Sequence, residues 1–228
     1  MMQLSKRLQR IADFVRDGDR LIDVGTDHAY IPIWLLLNGK VSQATATDIR
    51  SGPLERARID AAYYGVSDRL QLTQCDGLAL FGPEDADTVI IAGMGGETII
   101  GILDAAPWVR QKRLILQPQT KQAELRAYLS SRHYAITDAA LVYDAGRIYL
   151  VWLVAAGEMP PWCAVDAALL QHRDPLLRPY LDDRIKRLRK RLHGLEAAAR
   201  RDDETLSMLR EELSQLETIY HEVSLWQT

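Results

Sequence analysis

The chain is poor in cysteine, has no long apolar run, and carries no large excess of one charge. Its 228 residues include two cysteines, Cys75 and Cys163. They lie far apart and make no ligand pattern with the five histidines, which argues against a disulfide framework and a structural metal. No stretch approaches the ~18–20 apolar residues of a membrane span. The opening MMQLSKRLQRIADFV alternates charged and apolar residues at helical spacing, unlike a signal peptide. Net charge is -3, so nothing global marks a nucleic-acid binder. A reduced, cytoplasmic protein with no membrane contact and no metal is expected.

The most informative absence is local. "DVGTDHAYIP", residues 23–32, begins like a nucleotide-binding turn, with an acidic residue at the end of an apolar run and then Gly25. A pyrophosphate loop needs further glycines there. Asp27 and Ala29 stand in their places. An anionic Asp27 repels a pyrophosphate and suits a ligand carrying an amine or a sulfonium.

What is present is an alternation of strand-like and helix-like segments. RLIDVGT, ATATDI, LQLTQCDG, TVIIAGMGG and RLILQP read as strands. AYIPIWLLLNGK, SGPLERARIDAAYYG, ETIIGILDAAPWVRQ and TKQAELRAYLSSRHY read as helices. Near-continuous apolar runs such as VIIA and LILQ suit strands covered on both faces, hence a parallel sheet. AITDAALVYDAGRIYLVWLVAAG holds two strand-like runs around a short DAGR turn, a hairpin signal. The expectation is an α/β, Rossmann-like sheet over residues 20–157, parallel but finished by an antiparallel hairpin.

PPWC at 160–163 marks a boundary, which divides the chain into domains 1–159 and 160–228. Beyond it, Ile185, Leu188, Leu192, Leu195 and Ala199 fall at helical spacing. So do Leu206, Leu209, Leu213, Leu216, Tyr220 and Val223. Each set reads as one side of a coiled-coil seam. With ARRDDET as the reversal, capped by Asp202 or Asp203, the reading is an antiparallel helical hairpin. One continuous helix is the alternative, since the turn holds no proline or glycine.

In a doubly wound sheet, ligands sit beyond the carboxyl ends of the strands. Four such ends carry suggestive residues. Asp23, Gly25 and Thr26 follow the first strand, Asp48 and Ile49 the second, Asp76 and Gly77 the third, and Ala92, Gly93 and Met94 the fourth. Asp48 is placed to accept hydrogen bonds from ribose hydroxyls, and Asp76 from an adenine amine. Each aspartate alone is as well explained by a turn or a cap. Three at successive strand ends favour a nucleoside ligand without phosphate, and S-adenosylmethionine fits that description.

These residues together resemble the bacterial tRNA (adenine-22-N1)-methyltransferase family. The resemblance rests on LSKRLQRIADFV, IDVGTDHAYIPI, Gly52-Pro53, CDGL, IIAGMGG, LILQP and the helical tail. It departs at Thr26, Asp48 and Gln119, where the family favours serine, glutamate and asparagine. The first two keep their chemistry. The resemblance implies a class I S-adenosylmethionine enzyme with a C-terminal coiled coil that methylates N1 of an adenine in tRNA.

The target base edge must then be exposed and held beside the methyl donor. Asp27 is the candidate for electrostatic stabilisation and Tyr30 for packing the base or the methionine portion of the cofactor. His28 is a third catalytic candidate, though a histidine at a helix start more often caps or packs. Asp27 and His28 also count among the cofactor-loop residues. "RIKRLRKR" places Arg184, Lys186, Arg187, Arg189, Lys190 and Arg191 in eight positions, with Arg200 and Arg201 beyond. Charge pairing across the coiled coil explains part of this run, and a tRNA phosphate surface is the added expectation. Lys6, Arg7 and Arg10 extend it on weaker grounds. The chain is expected to act as a monomer or weak homodimer. A nicotinamide oxidoreductase is disfavoured by the missing glycines, and a non-catalytic RNA-binding scaffold is the other alternative.

Overall fold

The computed structural model describes residues 2–159, 164–197 and 203–226. The PPWC boundary, Cys163, Ala199, Arg200, Arg201 and Asp202 lie outside the described residues. The chain divides into two compact units, Met1–Met159 and Pro160–Thr228.

The first unit runs α1 (Lys6–Asp13), β1 (Leu21–Val24), α2 (Tyr30–Leu37), β2 (Ala44–Asp48), α3 (Ser51–Tyr63), β3 (Leu70–Gln74) and β4 (Thr88–Gly95). It continues with α4 (Gly96–Ala105), β5 (Arg113–Thr120), α5 (Gln122–Ser131), β6 (Tyr134–Asp144) and β7 (Arg147–Ala156). The seven strands lie in the order β3-β2-β1-β4-β5-β7-β6. The first five are parallel, while β7 is antiparallel to β5 and β6 is antiparallel to β7. Ile22, Ile90, Ile91, Ile115 and Leu116 are fully buried in the central strands, as apolar runs covered on both faces require. The order reverses between β1 and β4, which opens a crevice at their carboxyl ends.

One local feature lies on the crevice side of the sheet and a second at the opposite edge. The β6–β7 turn has positive φ at Ala145 and Gly146, the two-residue turn whose twist matches paired strands. Its Asp144 carboxylate accepts the Arg7 backbone N–H at 3.0 Å, so the hairpin tip satisfies a free amide in the first turn of α1. The second feature corrects an expectation. The helix after β4 stops at Ala105, and Pro107–Gln111 forms a separate 3-10 turn. Pro107 has no N–H to continue the ladder and its ring clashes with the preceding turn.

The second unit holds a short α6 (Ala167–Gln171), then α7 (Leu177–Glu196) and α8 (Asp203–Trp226). Ile185, Leu188 and Leu192 are buried on α7, as are Leu206, Leu209, Leu216 and Val223 on α8. Arg178 lies over the Tyr220 ring at 5.9 Å, and Arg210 pairs with Glu196 at 2.6 Å. The start of α7 therefore meets the end of α8, so the helices run antiparallel and the single-helix alternative fails. Leu195 and Leu213 are only half-buried.

Candidate active site

A cavity of about 380 Å³ opens at the carboxyl ends of β1 and β4. Asp23, Gly25, Thr26 and Asp27 line it from β1 and its loop, and Ala92 and Gly93 line it from β4. His28 and Tyr30 form the adjoining wall.

The loop geometry explains the missing glycines. Gly25 takes φ +73, which a side chain rarely adopts. The Gly25 and Thr26 amides both donate to the Thr47 carbonyl, at 2.8 and 2.9 Å. Two amides that a phosphate loop would aim at its ligand are thus tied to the end of β2. The turn ends at Ala29, whose left-handed φ of 51 precedes α2 and whose amide donates to the Thr26 hydroxyl at 2.9 Å. Asp23 is buried at the base of the cavity. Desolvation pushes its carboxyl up to about 7, opposed by a hydrogen bond with Thr26.

Asp27 and His28 are each held by a partner from α3, Arg56 and Asp60. The Arg56 guanidinium donates to Asp27 Oδ1, with Nε at 3.0 Å. Asp60 Oδ2 lies 2.7 Å from His28 Nδ1. The His28 ring stacks on Tyr30, with centroids 4.8 Å apart and planes 16° apart. Tyr30 is 39% exposed, and desolvation first, then Asp60, raises its hydroxyl above the ordinary value. Sequence reasoning missed Arg56 and Asp60. Their spacing of four places them on one helix face, but only the fold turns that face toward the loop.

Arg7 occupies a different place from the one expected. Its guanidinium donates to Gln117 Oε1 at 2.9 Å, lies 5.2 Å from the Tyr149 ring centroid, and forms part of the cavity wall. Lys6 and Arg10 are exposed. Gln119 also reaches the cavity from β5. Gly93 and Gly95 of AGMGG sit in a bulged end of β4, and Gly96 begins α4. Gly93 has φ +78, and a Cβ there would lie 3.6 Å from an Arg7 nitrogen and 3.7 Å from Gln119 Nε2. A Cβ on Gly96 would overlap the Lys121 carbonyl, which makes that glycine a packing requirement of the β5–α5 turn. The Met94 methyl lies over Gly25.

Asp48, Ile49, Asp76 and Gly77 are not in this cavity wall; they stand at the ends of β2 and β3, on the far side of β1 from β4. Asp48 is buried and accepts the Arg50 N–H at 2.8 Å. Ile49 is 59% exposed, an apolar surface beside that carboxylate. Asp76 is exposed, and its carbonyl accepts the Ala79 amide at 3.1 Å. Gly77 takes φ +54 and its carbonyl accepts the Thr47 hydroxyl at 3.3 Å. Among the described residues no group of three His, Cys, Asp or Glu side chains gathers as a metal site would require.

The cation run on α7 is largely paired, which reduces the free charge expected from the sequence. Arg184 is half-buried, donating to the Ala164 carbonyl at 2.6 Å and to Glu212 at 2.7 Å. Lys186 and Arg187 pair with Asp182 and Asp183 one turn back, and Arg189 crosses to Glu217. Lys190 and Arg191 are exposed and have no acidic partner among the described residues.

The sequence matches the methyltransferase domain family over residues 4–152. It is 36% identical over 159 residues to the tRNA (adenine(22)-N(1))-methyltransferase of Bacillus subtilis strain 168, covering 69% of this chain and 67% of that protein. The chain belongs to the tRNA (adenine-22-N1)-methyltransferase family. The B. subtilis m1A22 tRNA methyltransferase TrmK superposes with a TM-score of 0.85 at 28% identity, over 96% of this chain and 100% of that one. Streptococcus pneumoniae Sp1610 in complex with S-adenosyl-L-methionine superposes with a TM-score of 0.75 at 30% identity, over 96% and 100%.

The residues of this family member fit that cofactor class. Asp23 is a buried carboxyl facing a cavity, with no cationic partner among the described residues, and an ammonium would supply one. Arg7, on the same cavity wall, suits a carboxylate. Tying the loop amides to Thr47 disfavours a pyrophosphate ligand.

Proposed function

We propose that this protein transfers a methyl group from S-adenosylmethionine to N1 of an adenine in tRNA, at position 22. Membership of the family carries the reading, and a buried, cation-seeking Asp23 at the β1–β4 crevice supports it. Asp23 and Arg7 hold the amino-acid end of the cofactor. Gly25, Thr26, Ala92, Gly93 and Met94 allow close approach of the backbone. Asp48, Ile49, Asp76 and Gly77 receive its ribose and adenine. When bound, S-adenosylmethionine supplies the electrophilic methyl group.

The chain's own residues do the rest. N1 of neutral adenine carries an in-plane lone pair, so no base is needed to expose the nucleophile. The task is to hold that atom in line with the methyl group and exclude water. The Tyr30 ring, held parallel to His28, gives the base a flat surface to pack on. Asp27 places a negative charge beside a ring that gains positive charge during transfer. Arg56 orients that carboxylate. The Watson–Crick edge must be free, so the target nucleotide is taken unpaired or extruded.

Lys190, Arg191 and Lys6 are the exposed cations best placed to meet tRNA phosphates, with Lys186, Arg187 and Arg189 able to exchange their surface acids for phosphate. Arg184 is half-buried and serves the hairpin. With tRNA as substrate, we place the enzyme in the cytoplasm. No described helix is long and apolar enough to cross a membrane. We take the acting unit to be a monomer or weak homodimer using no metal, because one chain's cavity holds the groups the transfer requires.

The deciding experiment incubates the protein with tritiated S-adenosylmethionine and unmodified tRNA, then maps the labelled nucleotide. Label on N1 of adenine 22 is expected. Label elsewhere, or none with folded protein, would overturn the reading.

A further inference from the structure

We propose that Asp60 is a positioning residue that fixes His28 as a hydrogen-bond acceptor for the 6-amino group of the target base. The proposal rests on the adenine-methylation reading above and goes beyond it, because it assigns what selects adenine.

The argument starts from the 2.7 Å contact between Asp60 Oδ2 and His28 Nδ1, two side chains that are both about three-quarters buried. A carboxylate can only accept, so the proton lies on Nδ1. In its neutral form the imidazole carries one N–H, and Nε2 then presents a lone pair. Asp27 Oδ2 is 3.8 Å from Nε2, too far to use it. Arg56 holds the other oxygen of Asp27. The stacked Tyr30 ring fixes the plane of the imidazole. Among the described residues, Asp60, Asp27 and Tyr30 are the charged and titratable groups that meet the ring, and none of them donates to Nε2. His28 is part of the cavity wall.

An acceptor at that wall reads one feature of a purine edge. Adenine presents an amine donor at C6 beside the N1 lone pair. Guanine and hypoxanthine present a carbonyl at C6 and an N–H at N1. His28 Nε2 therefore accepts from adenine and faces a second acceptor in the other two, leaving a desolvated pair unsatisfied. As N1 becomes methylated the ring turns cationic and its amine becomes a better donor. The same bond therefore strengthens toward the transition state. His28 contacts the base, and Asp60 acts only through His28.

The test compares wild type, Asp60→Ala, Asp60→Glu, His28→Ala and the double Asp60→Ala/His28→Ala. The readouts are kcat and KM for tRNA, cofactor affinity by calorimetry, and the His28 ring nitrogens by long-range 15N NMR. Asp60→Ala is expected to lower kcat about 10- to 100-fold with cofactor affinity unchanged, the range of one hydrogen bond to a charged group. The double variant is expected to be no slower than His28→Ala alone, and Asp60→Glu to recover part of the loss. The NMR signature is expected to move from the Nδ1–H tautomer toward Nε2–H in Asp60→Ala. Additive losses in the double variant, or an unchanged tautomer, would overturn the proposal. Should Asp60→Ala unfold, the near-isosteric Asp60→Leu, which likewise cannot accept from Nδ1, carries the same comparison. If wild type fails to methylate adenine, the functional reading falls, and the tautomer shift still decides whether Asp60 sets His28.

Discussion

The side-chain methyl of Met94, at the bulged end of β4, lies directly over the Cα of Gly25, at the end of β1. The two strand ends that form the crevice therefore touch through a glycine and a flexible thioether. A methyl group on Gly25 would overlap that methyl, at a backbone φ of +73. Gly25→Ala combines a left-handed strain of about 1–3 kcal/mol with displacement of Met94. Thermal denaturation should show a folded but less stable protein, and calorimetry should show at least tenfold weaker S-adenosylmethionine binding. Wild-type affinity in this variant would mean that the cofactor does not approach the loop closely.

Asp23 should make the protein's stability depend on pH in an unusual direction. Its carboxyl is pushed up to about 7 in the fold from 3.8, so between those values the folded state keeps a proton that the unfolded state has released. Its contribution is full below about pH 4 and is lost as pH rises to 7, at about 1.4 kcal/mol per unit. The ligand-free protein should lose stability over that window relative to Asp23→Asn. A cationic ligand favours the ionised carboxylate, so S-adenosylmethionine should bind more weakly at pH 6 than at pH 7.5 and should release a proton. Calorimetry in buffers of different ionisation enthalpy reads that proton directly. A pH-independent affinity would separate Asp23 from the ammonium.

Removing Asp27 should separate activity from stability. The side chain is 68% exposed and its ion pair with Arg56 is a surface one, so Asp27→Asn should change unfolding free energy by less than about 1 kcal/mol. Loss of a charge aimed at the reacting ring should lower kcat by about 100-fold or more. Transfer at the wild-type rate in Asp27→Asn would return the electrostatic role to another residue.

The cations of α7 should divide by burial. Replacing Lys190 and Arg191 by glutamate should weaken tRNA binding and reduce its salt dependence. Each lost phosphate contact removes about 0.7–0.9 from the slope of log affinity against log salt. Cofactor affinity should not change. Arg184→Ala should instead destabilise the hairpin, because it strips Glu212 and the Ala164 carbonyl of their partner. Filter binding across a salt series, read beside thermal denaturation, distinguishes the two effects.

Legibility followed the range of the interaction. The strands and most helices were readable because apolar periodicity and the DAGR turn act within a few residues. The helix after β4 ends earlier than its apolar periodicity suggests, because Pro107 breaks the ladder. Asp23, Gly25, Thr26, Asp27, His28 and Tyr30 were readable as neighbours, and they line one cavity, because they follow one another from the end of β1 to the start of α2. Asp48 and Asp76 were readable as strand-end acids, but the geometry of β2 and β3 sets them apart from the cavity around β1 and β4.

By itself, the sequence determined a parallel sheet closed by an antiparallel hairpin, a loop unsuited to pyrophosphate, and a helical tail, since each follows from spacing and side-chain chemistry along the chain. Only the tertiary structure decided that α3 supplies Arg56 and Asp60 to Asp27 and His28, 29 and 32 residues earlier. It also drew Arg7 into the cavity wall and paired most of the α7 cations with carboxylates. Those contacts join groups that no local pattern links. They depend on which faces meet once the apolar surfaces are buried, so the partners of a charge, and therefore its role, are fixed last.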